Sequence, residues 1–435
     1  MTNFNFRTLG IVFVVCLFCY GNAVRLRKMG DLGLVMDLID QQYVSESKQN
    51  DLYQAAMRGM IDSLDPYSGY ISQDSLRPFQ SMLEQEFGGL GIGLDGPPRR
   101  DNLMIISTLY DSPAFRAGLK PGDIILQVDG VDVAKKPFQE SSQLLRGKVG
   151  TIAKLSIQRG TNEVPMSVDV TRAMIEVESV LGDRRLSDGR WEHRMQANPS
   201  IGYFRVELFG EKTSSELESS INRIKDDCRG IILDLRDNSG GLLESATTIC
   251  DMFLSEGEIV STKGRSDVVD QVYYANDGVI LPDDVPIVVL INENSASASE
   301  VLAACLQDRC RAIVAGSRSF GKGSVQNVIP LEGGKAAMRL TTAYYYPPNG
   351  RRIHRLKDSK IEDEWGVKPN EGHEVNMDDD AVQKLIDRYR KRADPSLVPQ
   401  NLEQANGSPT ENDATLVDDP QLLHAVNVIL EASKK

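Results

Sequence analysis

Residues 291–326 read INENSASASEVLAACLQDRCRAIVAGSRSFGKGSVQ, and they continue the apolar run PIVVL that begins at Pro286. An apolar strand, a small-residue turn with serines at 295, 297 and 299, and then a helix put that turn at the carboxyl end of a buried strand and the positive end of a helix. α/β folds place their chemistry there. A second apolar strand, RAIVAG, follows, and Lys322 then stands between Gly321 and Gly323. The stretch poses one question: whether Ser297 is a nucleophile and Lys322 its base.

The same pattern occurs upstream. IGYFRVELF, from Ile201, reads as a strand, and the following segment is an amphipathic helix with Leu217, Ile221 and Ile224 on one face. GIILDLRDNSGG then runs from an apolar strand into charges and the glycine pair Gly240–Gly241, before a helical LLESATTICDMFL. Bare backbone amides are expected at such a junction. Strands alternating with helices through Val314 indicate an α/β core with substantial parallel pairing.

A chain of 435 residues with 41% hydrophobic content is globular and long enough for two or three domains. Its net charge of -13 lacks the basic footprint of a nucleic-acid binder. The N-terminus carries Arg7, an uncharged apolar run from Leu9 to Tyr20, and a small-x-small end at Gly21 and Ala23. That run is short of the roughly 20 residues a membrane span needs, so a cleaved secretory signal leads over an uncleaved anchor. Cys16 and Cys19 fall inside it; Cys228, Cys250, Cys305 and Cys310 are sparse and lack CxxC spacing. No zinc site is expected from them, and disulfide pairing does not follow from sequence.

Residues 31–64 show helical spacing in two runs, closed by a turn signal at Asp65 and Pro66. From Phe87 the run FGGLGIGL puts glycines among apolar residues, followed by short strands, Gly and Pro punctuation and SPAFRAGLKPGDIILQVDGVDV. Together these resemble a PDZ domain. In that family amides of the glycine loop, here Gly89, Leu90, Gly91 and Ile92, hold a peptide's terminal carboxylate while the peptide adds as a strand. Beyond Asp378 a charged helix leads into a polar stretch with the character of a linker, and a last helix, PQLLHAVNVILEA, is suited to dock on the core.

Serine needs a base and a place for the oxyanion. The four histidines, His193, His354, His373 and His424, lie in polar or charged segments and point to no triad. A lysine serves as base only when neutral, which demands burial to bring its pKa down from about 10.4. Taken alone, Gly-Lys-Gly is an ordinary solvated turn, and small residues are common at tight strand-to-helix turns. In combination with LRDNSGG and the PDZ-like module, they resemble the C-terminal processing peptidases, or tail-specific proteases, from about residue 31 to about 370.

That resemblance implies a Ser-Lys peptidase on a ClpP/crotonase-like α/β core, with an inserted PDZ domain and an N-terminal helical region. It assigns Ser297 as nucleophile, Lys322 as general base, Gln326 as the residue that orients the amine, and the amides of Gly241 and Ala298 as the oxyanion hole. Ser295 and Ser299 read as turn and cap residues, and Glu300 as a first-turn carboxylate complementing the helix dipole. One departure is visible: Ser239 stands where the family commonly has proline. The expected organisation is a signal or anchor at 1–23, helices at 31–86, PDZ at 87–172, peptidase core at 173–377 and a C-terminal extension at 378–435. The expected protein is an extracytoplasmic serine endopeptidase, with no metal or organic cofactor. It would act through an acyl-enzyme on protein substrates with apolar C-terminal tails. The N-terminal segment offers membrane association, and the terminal helices offer contacts for a homo-oligomer. The rivals are a catalytically silent PDZ-containing adaptor and an acyl-CoA enzyme on a crotonase-like core; the latter leaves a PDZ domain unexplained.

Overall fold

The computed structural model describes residues 13–14, 16–17, 30–96, 102–134, 136–160, 164–186, 188–393 and 418–434. Most of the signal or anchor segment therefore lies outside the described residues, as does the linker-like stretch before residue 418. No helix among the described residues is long and apolar enough to cross a membrane. The chain divides into two compact units, one of the N-terminal residues up to Leu76 with Gln326–Thr341, the other of Arg77–Val325 and the chain from Thr342 onward.

In the first unit, helices at 30–42 and Gln49–Asp62 precede a turn held by Asp65, whose Oδ1 accepts the amides of Tyr67 at 2.7 Å and Ser68 at 2.8 Å. This is the turn that the Asp-Pro pair announces. The strand Gly69–Ile71 then pairs antiparallel with Ala337–Arg339.

The second unit holds two hydrophobic cores of different kinds. Residues 92–171 form a six-stranded antiparallel sheet around Leu90, Leu103, Ile105, Ile125, Leu155 and Ile157. Ile92–Asp95, the strand that leaves the glycine loop, is an edge of this sheet. An edge presents unpaired backbone groups that a further strand could use.

The other core is built on four parallel strands in sequential order: β1 (Ile201–Val206), β2 (Gly230–Asp234), β3 (Ile287–Ile291) and β4 (Ile313–Gly316). Every residue of β1, β2 and β3 is buried, as expected of a parallel sheet covered on both faces. Alternation divides their side chains between two clusters. Phe204, Ile231, Leu233, Val289 and Ile291 face helices α1 (Thr213–Asn222), α2 (Leu243–Asp251) and α3 (Ala298–Asp308). Tyr203, Ile232, Val288 and Leu290 face the last helix, α5 (Pro420–Ala432), which follows α4 (Asp379–Ala393) and docks as its apolar pattern predicts. The topology puts the carboxyl ends of β2 and β3, and the amino ends of α2 and α3, at one edge of the sheet.

Gly230 lets α5 close on the sheet. A Cβ there would stand 2.5 Å from Ile429 Cγ2 and 3.1 Å from the Pro286 carbonyl oxygen. Because overpacking a close-packed interior costs about 1–3 kcal/mol, Gly230→Ala is expected to lower stability by that amount in chemical denaturation. Unchanged stability would show that α5 does not seat as tightly as described.

Candidate active site

β3 ends at Ile291, and the next four residues make a turn closed on itself: the Asn292 amide donates to Ser295 Oγ at 2.9 Å, and the Ser295 amide donates to the Asn292 carbonyl at 2.9 Å. Ser295 Oγ in turn donates to the Leu235 carbonyl at 2.8 Å, and Ser299 Oγ to the Asn238 carbonyl at 2.9 Å. Both flanking serines are thus fastened to the loop after β2. Ser297 is different. It sits at φ +56° and ψ -114°, a region non-glycine residues rarely occupy, and is 5% exposed. Strain of this kind persists only where the surroundings over-determine it.

The surroundings are the loop after β2. Asn238 donates through Nδ2 to the Val206 carbonyl at 2.7 Å, accepts the Gly240 amide at 2.8 Å on Oδ1, and accepts the Ala296 amide at 3.0 Å on its own carbonyl. Gly240 takes φ +103° and Gly241 φ +148°. A Cβ on Gly240 would lie 2.8 Å from both the Ala296 carbonyl oxygen and Ser297 Cβ, and 3.0 Å from the Ala298 amide nitrogen, so only glycine fits. The two strand-to-helix junctions therefore meet at Ser297. The Phe209 amide bonds to the Gly240 carbonyl and the Leu242 amide to the Phe209 carbonyl, whose oxygen would lie 2.2 Å from a Cβ on Gly241. Neither Gly241 nor Ala298 finds an acceptor for its amide among the described residues.

Glu300 ties the Lys322 backbone to the Ser297 turn. This carboxyl is fully buried and accepts four hydrogen bonds: Ser319 Oγ at 2.6 Å and the Gly321 amide at 2.7 Å on Oε1, the Ser297 amide at 2.9 Å and the Lys322 amide at 2.8 Å on Oε2. The backbones of Ser297 and Lys322 are therefore held on one oxygen atom. Gly321 adopts φ +88°, and a Cβ on Gly323 would collide with the His354 amide nitrogen at 2.4 Å, so the glycines flanking Lys322 serve close backbone approach. Lys322 is half-buried. Tyr345, whose amide donates to the Gly323 carbonyl at 2.8 Å, brings its hydroxyl to Ser297. Burial pushes that phenol up to about 12.

Gln326 belongs to the first unit, where its side-chain amide donates to Thr341 Oγ1 at 3.3 Å. Of the histidines, His193 is buried and stacked on Phe204, His373 bonds to His424 at 3.0 Å, and the His354 ring packs on Tyr344. In the glycine loop Leu90 is buried and its carbonyl accepts the Ala114 amide at 2.9 Å. Gly91, at φ +75°, leaves no room for a side chain beside Ser112. The Leu90 and Gly91 amides have no acceptor among the described residues.

The sequence pattern of peptidase family S41 matches residues 200–371, that of a PDZ domain matches 105–159, and that of the activating protease CtpB N-terminal domain matches 21–75. Over 336 residues the chain is 39% identical to the carboxy-terminal-processing protease of Bartonella bacilliformis, covering 76% of this chain and 73% of that one. The chain belongs to peptidase family S41. It is a serine-type peptidase. A "Probable CtpA-like serine protease" of Staphylococcus haemolyticus is 35% identical over 318 residues, 73% of this chain and 60% of its own length. Among solved structures, the photosystem II D1 C-terminal processing protease is 24% identical, with a TM-score of 0.44 over 87% of this chain and 91% of that one.

Sequence reasoning assigned Glu300 of this S41 peptidase too small a part. The signal was present: Ser297-x-x-Glu300 is a capping box, in which the glutamate returns to the amide of the cap residue. The bonds to Gly321 and Lys322 come from a distant part of the chain and leave no local trace. Burial pushes the Glu300 carboxyl up, to about 7, although its four donors favour the charged form. A carboxyl raised above its ordinary 4.5 adds stability that is complete below that value and lost as pH rises through about 7. Wild-type protein is therefore expected to lose stability relative to Glu300→Gln across that window, as read by urea unfolding at several pH values. Whichever way the glutamine amide turns, its NH2 meets a backbone N–H. With hydrogen bonds to charged groups each worth about 1.5–3 kcal/mol, the variant is expected to lose ~10²-fold in kcat/KM. Full activity in Glu300→Gln would contradict this role.

Proposed function

We propose that the protein is a C-terminal processing endopeptidase that hydrolyses peptide bonds through Ser297 and Lys322. The observation that supports this reading is the strained Ser297, its amide held with that of Lys322 on one Glu300 oxygen, beside the Gly240–Gly241 turn, where the Gly241 and Ala298 amides have no acceptor among the described residues. Neutral Lys322 takes the proton from Ser297 Oγ as the oxygen attacks the scissile carbonyl. The amides of Gly241 and Ala298 receive the oxyanion at the positive ends of α2 and α3. Collapse expels the amine, which takes up the proton from Lys322, and leaves an acyl-enzyme on Ser297. Water, activated by the same lysine, releases it. From its place four residues on, Gln326 is proposed to orient the lysine amine.

Substrates are recognised through apolar C-terminal tails. The Leu90 and Gly91 amides would bind the terminal carboxylate, in a loop made with Gly89 and Ile92, and the tail would extend the sheet along the edge strand Ile92–Asp95. Residues 1–23 direct the chain out of the cytoplasm, as a signal peptide or as an anchor. The exposed apolar side chains of Leu34, Val35 and Leu38 on helix 30–42 suit association between copies.

A fluorophosphonate probe tests the chemistry. Wild-type protein is expected to be labelled, and Ser297→Ala and Lys322→Ala are not; equal labelling of all three would sink the dyad. Gly91→Val tests the handle. It should be labelled like wild type yet lose most of its cleavage of an unfolded protein ending in an apolar tail. Cleavage of that substrate at the wild-type rate would remove the PDZ loop from recognition.

A further inference from the structure

The loop that carries the Gly241 amide is anchored from below by Arg236, two residues past the end of β2. Arg236 is buried completely, and its guanidinium lies between two carboxylates. Nε donates to Asp234 Oδ1 at 2.9 Å and Nη2 to Asp234 Oδ2 at 2.7 Å. On the other side Nη1 donates to Asp419 Oδ1 at 2.9 Å and Nη2 to Asp419 Oδ2 at 3.0 Å. Asp419 comes from the far end of the chain, where its Oδ1 also accepts the Leu422 amide at 3.0 Å and caps α5. Burial pushes the Asp419 carboxyl up, but the Arg236 charge beside it wins and holds the group below the ordinary carboxylate range. Arg388 of α4 adds a third contact, from Nη1 to Asp419 Oδ2 at 3.3 Å.

From Arg236 the connection to the site is short and fully bonded. Leu235 donates its amide to the Leu290 carbonyl at 2.9 Å and accepts Ser295 Oγ, while Asn238 holds Gly240, Ala296 and Ser299. A guanidinium in a water-free interior that loses one of its two carboxylates is left here with Asp234 and the neutral Gln421 Oε1, which accepts from Nη1 at 3.2 Å, and is drawn toward them. The backbone at 235–238 would move with it.

We propose that Asp419, the cap of the C-terminal helix, is a positioning residue for catalysis that acts through Arg236 to hold the Gly241 amide at Ser297. The docked C-terminal helix is then a working part of the active site rather than an appendage. The proposal rests on the reading of Gly241 as an oxyanion donor.

Asp419→Asn separates the two tasks of this residue. Asparagine caps a helix as well as aspartate does, so α5 keeps its cap while Arg236 loses a charge partner and meets an NH2. In the full-length protein, cleavage of a tail-bearing substrate by folded Asp419→Asn is expected to show kcat reduced ~10-fold or more with KM within about twofold, because small misplacement of catalytic groups costs rate rather than binding. Asp419→Glu, which keeps the charge, should recover part of the loss. Arg236→Lys, which cannot bridge both carboxylates in two-pronged fashion, should repeat the kcat loss and serves in place of Asp419→Asn if that variant does not fold. Wild-type kcat in a folded Asp419→Asn or Arg236→Lys overturns the proposal. So does a loss confined to Asp419→Ala, which would leave Asp419 only its helix cap. An unlabelled, inactive wild type would instead refute the underlying mechanism.

Discussion

The site depends on one buried carboxylate. Glu300 comes from the first turn of α3, receives four hydrogen bonds, and has no exposure to water. Its Oε2 joins the amide of Ser297, which begins the helix, to the amide of Lys322, which follows β4. An ionised group taken out of water is costly unless several donors compensate it. Here the four donors offset that cost in part, and only when the serine turn and the lysine loop are both in place. The positive φ of Ser297 follows from the same constraint, since its amide is turned toward Glu300 while the Gly240–Gly241 pair presses against its other side.

A second buried charge system supports the loop that presses from that side. Arg236 with Asp234 and Asp419 braces the Gly240–Gly241 loop as Glu300 braces the backbones of Ser297 and Lys322. Tyr203 and Tyr389 complete it by donating their hydroxyls to Asp234 Oδ2 at 2.7 Å and 3.1 Å. Both systems use full burial to make modest numbers of hydrogen bonds directional and hard to exchange with water. What both systems hold is chiefly backbone: the amides of Ser297, Gly321 and Lys322 on one carboxyl, and the strand end at 234–236 on the other.

How much of this was legible in the sequence follows from chain distance. The strands GIILD and PIVVLI, the helices after them and the serine turn are written locally, in apolar runs ended by small residues, and the structure has them as read. The docking of α5 was legible from its apolar pattern. The helix Gln73–Glu84 lies inside the expected helical region, 31–86, but no periodic run of its own marked it, and Pro78 inside it reads as a breaker. Glu300 was half legible: the capping box spells its bond to Ser297, but nothing near it spells Gly321 or Lys322. Arg236 and Asp419 stand 183 residues apart, and no periodicity or motif joins two charges over that distance. A buried arginine in a strand end is a sign that a partner exists, without saying where.

The most direct measurement is to react the wild-type protein with a fluorophosphonate and locate the adduct by peptide mass spectrometry. Ser295, Ser297 and Ser299 alternate in sequence and differ in backbone and bonding: the outer two are tied to carbonyls of the loop after β2, and the middle one stands at a strained positive φ. The account predicts a single adduct on Ser297. An adduct on Ser295 or Ser299, or one distributed among the three, would contradict it.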